Sequence, residues 1–189
     1  MFGLKMTDIA KDILGKHLKE GDKVIDATVG NGNDTIFLAK KVGSTGKVYG
    51  FDIQKKAIDK TREKLTKLNI EDRVILLFDT HEKIKNYINQ QVMCVMFNLG
   101  YLPNGDKSII TKDASTIIAL GQALELLKEN GIISVVCYYG HDGGIKEKEA
   151  VEEYIKGLNT NKYEVISIRN DNRIHNSPIL FLIKKVSRV

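Results

Sequence analysis

Asp26-Ala27-Thr28-Val29-Gly30-Asn31-Gly32-Asn33-Asp34-Thr35, with Gly50-Phe51-Asp52 following, is the stretch that decides the fold. The apolar pair Val24 and Ile25 leads into a glycine turn. A helix opens after the turn, and an acidic residue closes the next strand about twenty positions on. A parallel sheet that holds a nucleoside at its carboxyl edge is built this way.

Outward from that stretch, strands and helices alternate. The spacing predicts a helix from Met6 to Leu18, with Thr7 as N-cap and Ile9, Ile13, Leu14 and Leu18 on one side. Val24 to Ala27 reads as a strand, Asn33 to Val42 as a helix, Lys47 to Asp52 as a strand and Lys55 to Leu68 as a charged amphipathic helix. Arg73 to Phe78 is a strand and Glu82 to Ile88 a short helix. Val92 to Phe97 is apolar throughout, as a strand at the centre of a parallel sheet must be. After a loop, a helix over Asp113 to Leu127 is stopped by Asn130-Gly131, and Ile132 to Tyr139 is a strand. A helix over Lys146 to Leu158 and two strands, Tyr163 to Arg169 and Ile179 to Lys185, complete the chain, the last two as an antiparallel pair. The expectation is one α/β domain over residues 1–189, with helices on both faces of a mostly parallel sheet.

Composition narrows the class. The chain has 189 residues, 28% charged and 42% hydrophobic, enough for one real core. No apolar run nears the ~20 residues of a membrane span, and no signal-peptide pattern opens the chain. Cys94 and Cys137 sit in apolar runs and read as buried thiols of a reducing compartment, so the expected location is cytoplasmic. His17, His81, His141 and His175 are scattered, and no spacing suggests a metal site. The net charge of +5 permits a nucleic-acid partner without requiring one.

Gly30 and Gly32 free the backbone to turn and to approach a ligand. Thr35 stands where a dinucleotide fingerprint has its third glycine, and Asp26 would repel a pyrophosphate. That carboxylate suits a cationic ligand such as the amino group of a methionine moiety, which favours S-adenosyl-L-methionine over a dinucleotide. Asp52 offers two oxygens to two ribose hydroxyls. Asp79-Thr80-His81, closing the third strand, meets the adenine or the ribose, though Asp79 also fits a helix cap and His81 a cap or a solvent-facing ring. Gln54 begins a helix on the ligand side, next to Asp52.

DATVGNGNDT, GFDIQ, FDTHE, FNLGYLPNGDKSI and YYGHDGG together resemble the small class I methyltransferase family named "putative rRNA methylase", whose members are similar to the bacterial tRNA enzyme acting on 5-(aminomethyl)-2-thiouridine at the wobble position. The resemblance runs over nearly the whole chain. It implies a Rossmann-like sheet of seven strands with a reversed last strand, and S-adenosyl-L-methionine as methyl donor. It also implies roles: Asn31 and Asn33 at the methionine end, Asp52 and Gln54 on the ribose and adenosine side, Thr80 and His81 flanking the adenine.

The fourth strand ends in Asn98-Leu99-Gly100-Tyr101, where many amino-methylating enzymes carry Asn-Pro-Pro-Tyr. In those, the asparagine side chain and a neighbouring carbonyl accept hydrogen bonds from the target amine and the ring stacks on the base. Here the asparagine and tyrosine remain while Leu99 and Gly100 replace both prolines, leaving the carbonyl's direction open. The same residues could form an ordinary strand-to-loop turn with Tyr101 in the core. Asp106 or His141 would accept the proton released from the amine. An RNA substrate, with a tRNA anticodon loop expected, would use Lys107, Lys112 and Arg173, by the catalytic domain alone or as a homodimer. Lys55, Lys56, Lys60 and Lys64 read as a solvated helix face. The competing functions are an rRNA or small-molecule methyltransferase with the same donor site, and a non-catalytic NAD-binding regulator.

Overall fold

The computed structural model describes residues 5–101, 110–172 and 177–186. Its elements are α1 (Met6–His17), β1 (Lys23–Asp26), α2 (Asn33–Val42), β2 (Lys47–Asp52), α3 (Lys55–Lys67), β3 (Val74–Phe78), α4 (Ile84–Tyr87), β4 (Val92–Leu99), α5 (Asp113–Leu126), β5 (Leu127–Cys137), α6 (Gly144–Lys156), β6 (Tyr163–Ile168) and β7 (Ile179–Lys185). One seven-stranded sheet runs in the order β3-β2-β1-β4-β5-β7-β6. The strands from β3 across to β5 pair in parallel, while β7 runs antiparallel to both β5 and β6. This is the Rossmann-like sheet with a reversed last strand.

Strand alternation divides the core in two. Val24, Val48, Cys94, Met96, Val136 and Leu180 face one way and meet Met6, Ala10 and Leu14 of α1, Leu38 and Val42 of α2 and Leu65 of α3. Ile25, Val95, Phe97, Val135 and Phe181 face the other way and meet Ile84, Ala119, Leu120, Ala123, Val151 and Ile155 of α4, α5 and α6. A strand filled on both faces reads as an unbroken apolar run, and β4 (VMCVMFNL) is one. Cys94 and Cys137 are free, buried thiols, and burial pushes both well above the usual thiol range.

Two local expectations need correction. Thr7 does not cap α1: Lys5 holds the N-cap position without a side-chain bond, and Thr7 instead lines the same cavity as Tyr138. Asn130-Gly131 does not stop α5 either. The backbone is already extended at Leu127, and residues 128–131 bulge out between the pairings Val92↔Leu127 and Cys94↔Ile132, with Asn130 at φ +62. A Cβ on Gly131 would lie 2.8 Å from the Leu127 side chain, so the glycine serves the bulge. No described helix is long and apolar enough to cross a membrane.

Candidate active site

The carboxyl ends of the first five strands open on one cavity of about 720 Å³, the size of a nucleoside-class ligand. The order reverses between β1 and β4, where open α/β sheets bind ligands. Gly30, Asn31, Asn33, Asp52, Gln54, Asp79, Thr80, His81, Asn98, Tyr101 and His141 all line the cavity.

On the β1–β2 side the wall is made of backbone held by carboxylates. Gly30, at φ +52, donates its N–H to Asp52 Oδ2 at 2.8 Å, and Gln54 donates its own to Oδ1 at 2.8 Å. The carboxylate keeps lone-pair capacity for a ligand hydroxyl. Burial raises the Asp52 carboxyl, and the N–H bonds from Gln54, Gly30 and Ile53 oppose that. The Asn31 turn is clamped from α3: Lys60 Nζ reaches Asn31 Oδ1 at 2.8 Å and Lys64 Nζ the Asn31 carbonyl at 2.6 Å. Lys60 and Lys64, expected on a solvated helix face, therefore hold the turn instead.

Two residues assigned to the ligand on sequence grounds lie beneath the cavity instead. Asp26 is fully buried and is not among the lining residues. Its Oδ2 accepts from the Thr35 hydroxyl at 2.6 Å and its Oδ1 from the Thr28 N–H at 3.2 Å. The carboxylate points with Val24 towards α2 because alternate strand residues share a face. Thr35 breaks the dinucleotide pattern because it is the partner of Asp26. Burial, then the nearby charge of Asp34, raise Asp26 to about 7. Gly32 is also buried and away from the lining, at φ +77 on the N-cap of α2. A Cβ there would stand 2.5 Å from Thr61 Oγ1, so the glycine lets α3 pack against the turn. Gly32→Ala combines that clash with a left-handed backbone. We expect about 2–3 kcal/mol of destabilisation, a melting temperature lower by about 5–10 °C in a thermal shift experiment.

At the end of β3, Thr80 caps the short turn over His81–Lys83. Asp79 accepts from Lys83 Nζ, the Tyr87 hydroxyl and the Thr80 N–H, which together lower it to about 2. His81 neither caps nor faces solvent. It is buried, its Nδ1–H donates to the Ala27 carbonyl at 3.2 Å, and burial pushes its pKa down, which favours a neutral ring.

The opposite wall comes from β4 and β5. Asn98 N–H donates to Thr28 Oγ1 at 2.8 Å, and Asn98 Nδ2 donates to Asp34 Oδ2 at 2.5 Å. Asp34, unnoticed in the sequence, also contacts Lys11 Nζ at 2.6 Å. The carbonyls that follow are engaged: Leu99 O accepts from Tyr138 N–H and Gly100 O from Thr111 N–H, both at 3.0 Å. Gly100 sits at φ +146, and its N–H donates to Thr111 Oγ1, which donates to the buried Glu147 carboxylate at 2.6 Å. Burial raises Glu147 despite those hydroxyl bonds. Tyr101 is exposed and meets the His141 ring edge-on at 5.6 Å, which excludes a core position. The His141 ring fits because Gly144 has no Cβ, which would come within 2.8 Å of it. Tyr101 and Ile110 form a bridge at the base of the segment that contains Asp106. Asp106, like Lys107 and Arg173, lies outside the described residues.

Four shielded polar atoms on lining residues have no partner among the described residues: Asn98 Oδ1, His81 Nε2 and both ring nitrogens of His141. Unpartnered buried atoms also occur away from the cavity, on His17, Thr61, Arg73 and Ser134, but among the described residues only here do they lie on residues that share one ligand-sized space, which suits a polar ligand.

Sheet order, reversed seventh strand and a nucleoside-sized cavity at the switch point define a class I methyltransferase fold. A family model described as "Putative rRNA methylase" matches residues 48–184, and the chain belongs to that family. A "tRNA (mnm(5)s(2)U34)-methyltransferase, chloroplastic" from Arabidopsis thaliana is 40% identical over 98% of this chain and 72% of its own length. The crystal structure of a "putative rRNA-methylase" from Clostridium thermocellum superposes with a TM-score of 0.95 at 49% identity, covering 98% of this chain and 100% of that one. A "putative methyltransferase" from Streptococcus mutans, solved in complex with SAH, gives 0.89 at 38% identity, covering 97% and 99%.

Proposed function

We propose that this chain, an S-adenosylmethionine-dependent methyltransferase, methylates the aminomethyl nitrogen of 5-(aminomethyl)-2-thiouridine at the wobble position of tRNA. The observation that carries this reading is the likeness to the Arabidopsis enzyme along 98% of the chain. The residues present fit the donor: a glycine turn, a ribose-ready carboxylate and unpartnered polar atoms share one cavity.

Asp52, Gln54, Thr80, His81 and Asp79 take the adenosyl side in this reading, and Gly30, Asn31 and Asn33 the methionine side. S-adenosylmethionine, when bound, supplies the methyl as an electrophile on a cationic sulfur. The chain has to present an amine with a free lone pair. Burial disfavours the ammonium form, and Asn98 Oδ1 accepts one N–H so that the lone pair faces the methyl. Tyr101 stacks on the pyrimidine. As the N–C bond formed, the methyl–sulfur bond would break to leave SAH and the amine would lose a proton, and His141, whose ring nitrogens have no partner among the described residues, is the described group beside Tyr101 that can take it. The wobble nucleotide is already unpaired in an anticodon loop, so little duplex has to be opened. Lys5 at the cavity rim and the exposed Lys112 offer phosphate contacts.

Labelled methyl transfer tests the substrate. Label is expected in tRNA bearing aminomethyl-thiouridine and absent from the unmodified transcript and from ribosomal RNA. Equal labelling of the two tRNAs refutes the wobble assignment, and labelling of ribosomal RNA alone favours the activity in the family's description.

A further inference from the structure

We propose that Lys11, on the first helix, is a positioning residue for methyl transfer, acting through Asp34 on the orientation of the Asn98 amide. The proposal rests on the reading that Asn98 Oδ1 accepts from the target amine.

The contacts form an unbroken chain. Lys11 Nζ is 2.6 Å from Asp34 Oδ1, with the two side chains 23% and 8% exposed. Asp34 Oδ2 takes Asn98 Nδ2 at 2.5 Å. The two ends of an asparagine amide are nearly alike in shape and opposite in chemistry. An ionised carboxylate only accepts, so it selects the NH2 end and leaves Oδ1 as the end without a partner. A neutral carboxylic acid can donate as well, and it would tolerate the amide turned over. The turned amide would present N–H to a substrate N–H.

Which end of the amide Asp34 selects therefore depends on what else holds its carboxylate. Asp26 is buried close enough for the two carboxylates to repel. Among the described residues, Lys11 is the cation in direct contact with Asp34. Without it, Asp34 loses the charged donor on Oδ1 that fixes the carboxylate while Oδ2 holds the Asn98 amide. The helix that carries Lys11 borders the site along its N-terminal turns, and Lys5, Thr7 and Lys11 all line the cavity.

Three variants test the relay by calorimetry with SAH, by turnover on tRNA bearing aminomethyl-thiouridine and by the side-chain amide resonances of Asn98, assigned by their loss in Asn98→Ala. Lys11→Met is expected to bind SAH as wild type does and to lose turnover at saturating substrate by about 10- to 100-fold, the scale of a misplaced reacting group. Lys11→Arg is expected to restore most of it. The Asn98 amide resonances should shift in Lys11→Met and stay in place in Lys11→Arg. Turnover of Lys11→Met within about threefold of wild type overturns the proposal, and so does a loss that arginine does not restore. A wild-type protein that binds SAH but leaves this RNA unlabelled sinks the substrate reading instead. The relay is then decided by the amide resonances alone, and unchanged resonances in Lys11→Met reject it.

Discussion

Asp52→Ala is expected to weaken SAH binding by about 100-fold. In the proposed reading the carboxylate does two things at once. It holds the Gly30 and Gln54 N–H groups, one on the methionine side and one on the adenosyl side, and it would take the ribose hydroxyls. A hydrogen bond to a charged group contributes about 1.5–3 kcal/mol, and about 2.7 kcal/mol is a factor of 100 in affinity. Two such bonds to the ligand would exceed that if nothing relaxed; slackening of the Gly30 turn and entry of water return part of it. Calorimetric titration with SAH reads the loss directly, and a thermal shift control shows that the fold persists. Affinity within about threefold of wild type would remove Asp52 from the donor site.

The contrast between Asp52 and Asp26 shows how far a sequence can be read. Both carboxylates end a strand beside the glycine turn, and chain position treats them alike. Side-chain alternation separates them. Asp26 follows Ile25 and shares the face of Val24, so it points at α2 and finds Thr35. Period-two patterning could have flagged this, because Val24 and Asp26 must lie on one side of β1 and α2 covers that side. The element order and the central β4 were legible because each rests on local periodicity or on strand–helix alternation, and the β6–β7 pair because a short polar turn joins two strands; the reversal of β7 within the sheet came from the family resemblance. Asp34 and Lys11 were not. Their contact joins α1 to α2 across the cavity mouth, and no local pattern encodes which lysine of an amphipathic helix meets which carboxylate. The same limit applied to Lys60 and Lys64, whose partner is the Asn31 turn about thirty residues earlier in the chain. Gly100 lies between these cases. Its departure from proline was visible, while its reason, a φ of +146 with Thr111 bonded to both its N–H and its carbonyl, belongs to the folded loop.

Asn98→Ala should separate chemistry from donor binding in the opposite sense to Asp52→Ala. Asn98 touches the acceptor end of the cavity and makes none of the bonds that shape the Gly30 turn. Its backbone N–H still reaches Thr28 in the variant, so the strand end keeps its place. The loss is one acceptor for the amine and one donor to Asp34. Removing a preorganised polar group that acts at the reacting centre costs about 100- to 1,000-fold in kcat, and that range is expected here, with SAH affinity within about twofold of wild type. The engaged Leu99 and Gly100 carbonyls make the effect larger than in a site where a free backbone carbonyl shares the amine, since each already accepts an N–H from Tyr138 or Thr111. Single-turnover methyl transfer gives the measurement. A variant that keeps more than about a tenth of wild-type kcat would mean that the amine is oriented by another group, and Tyr101 and His141 would then be the residues to vary.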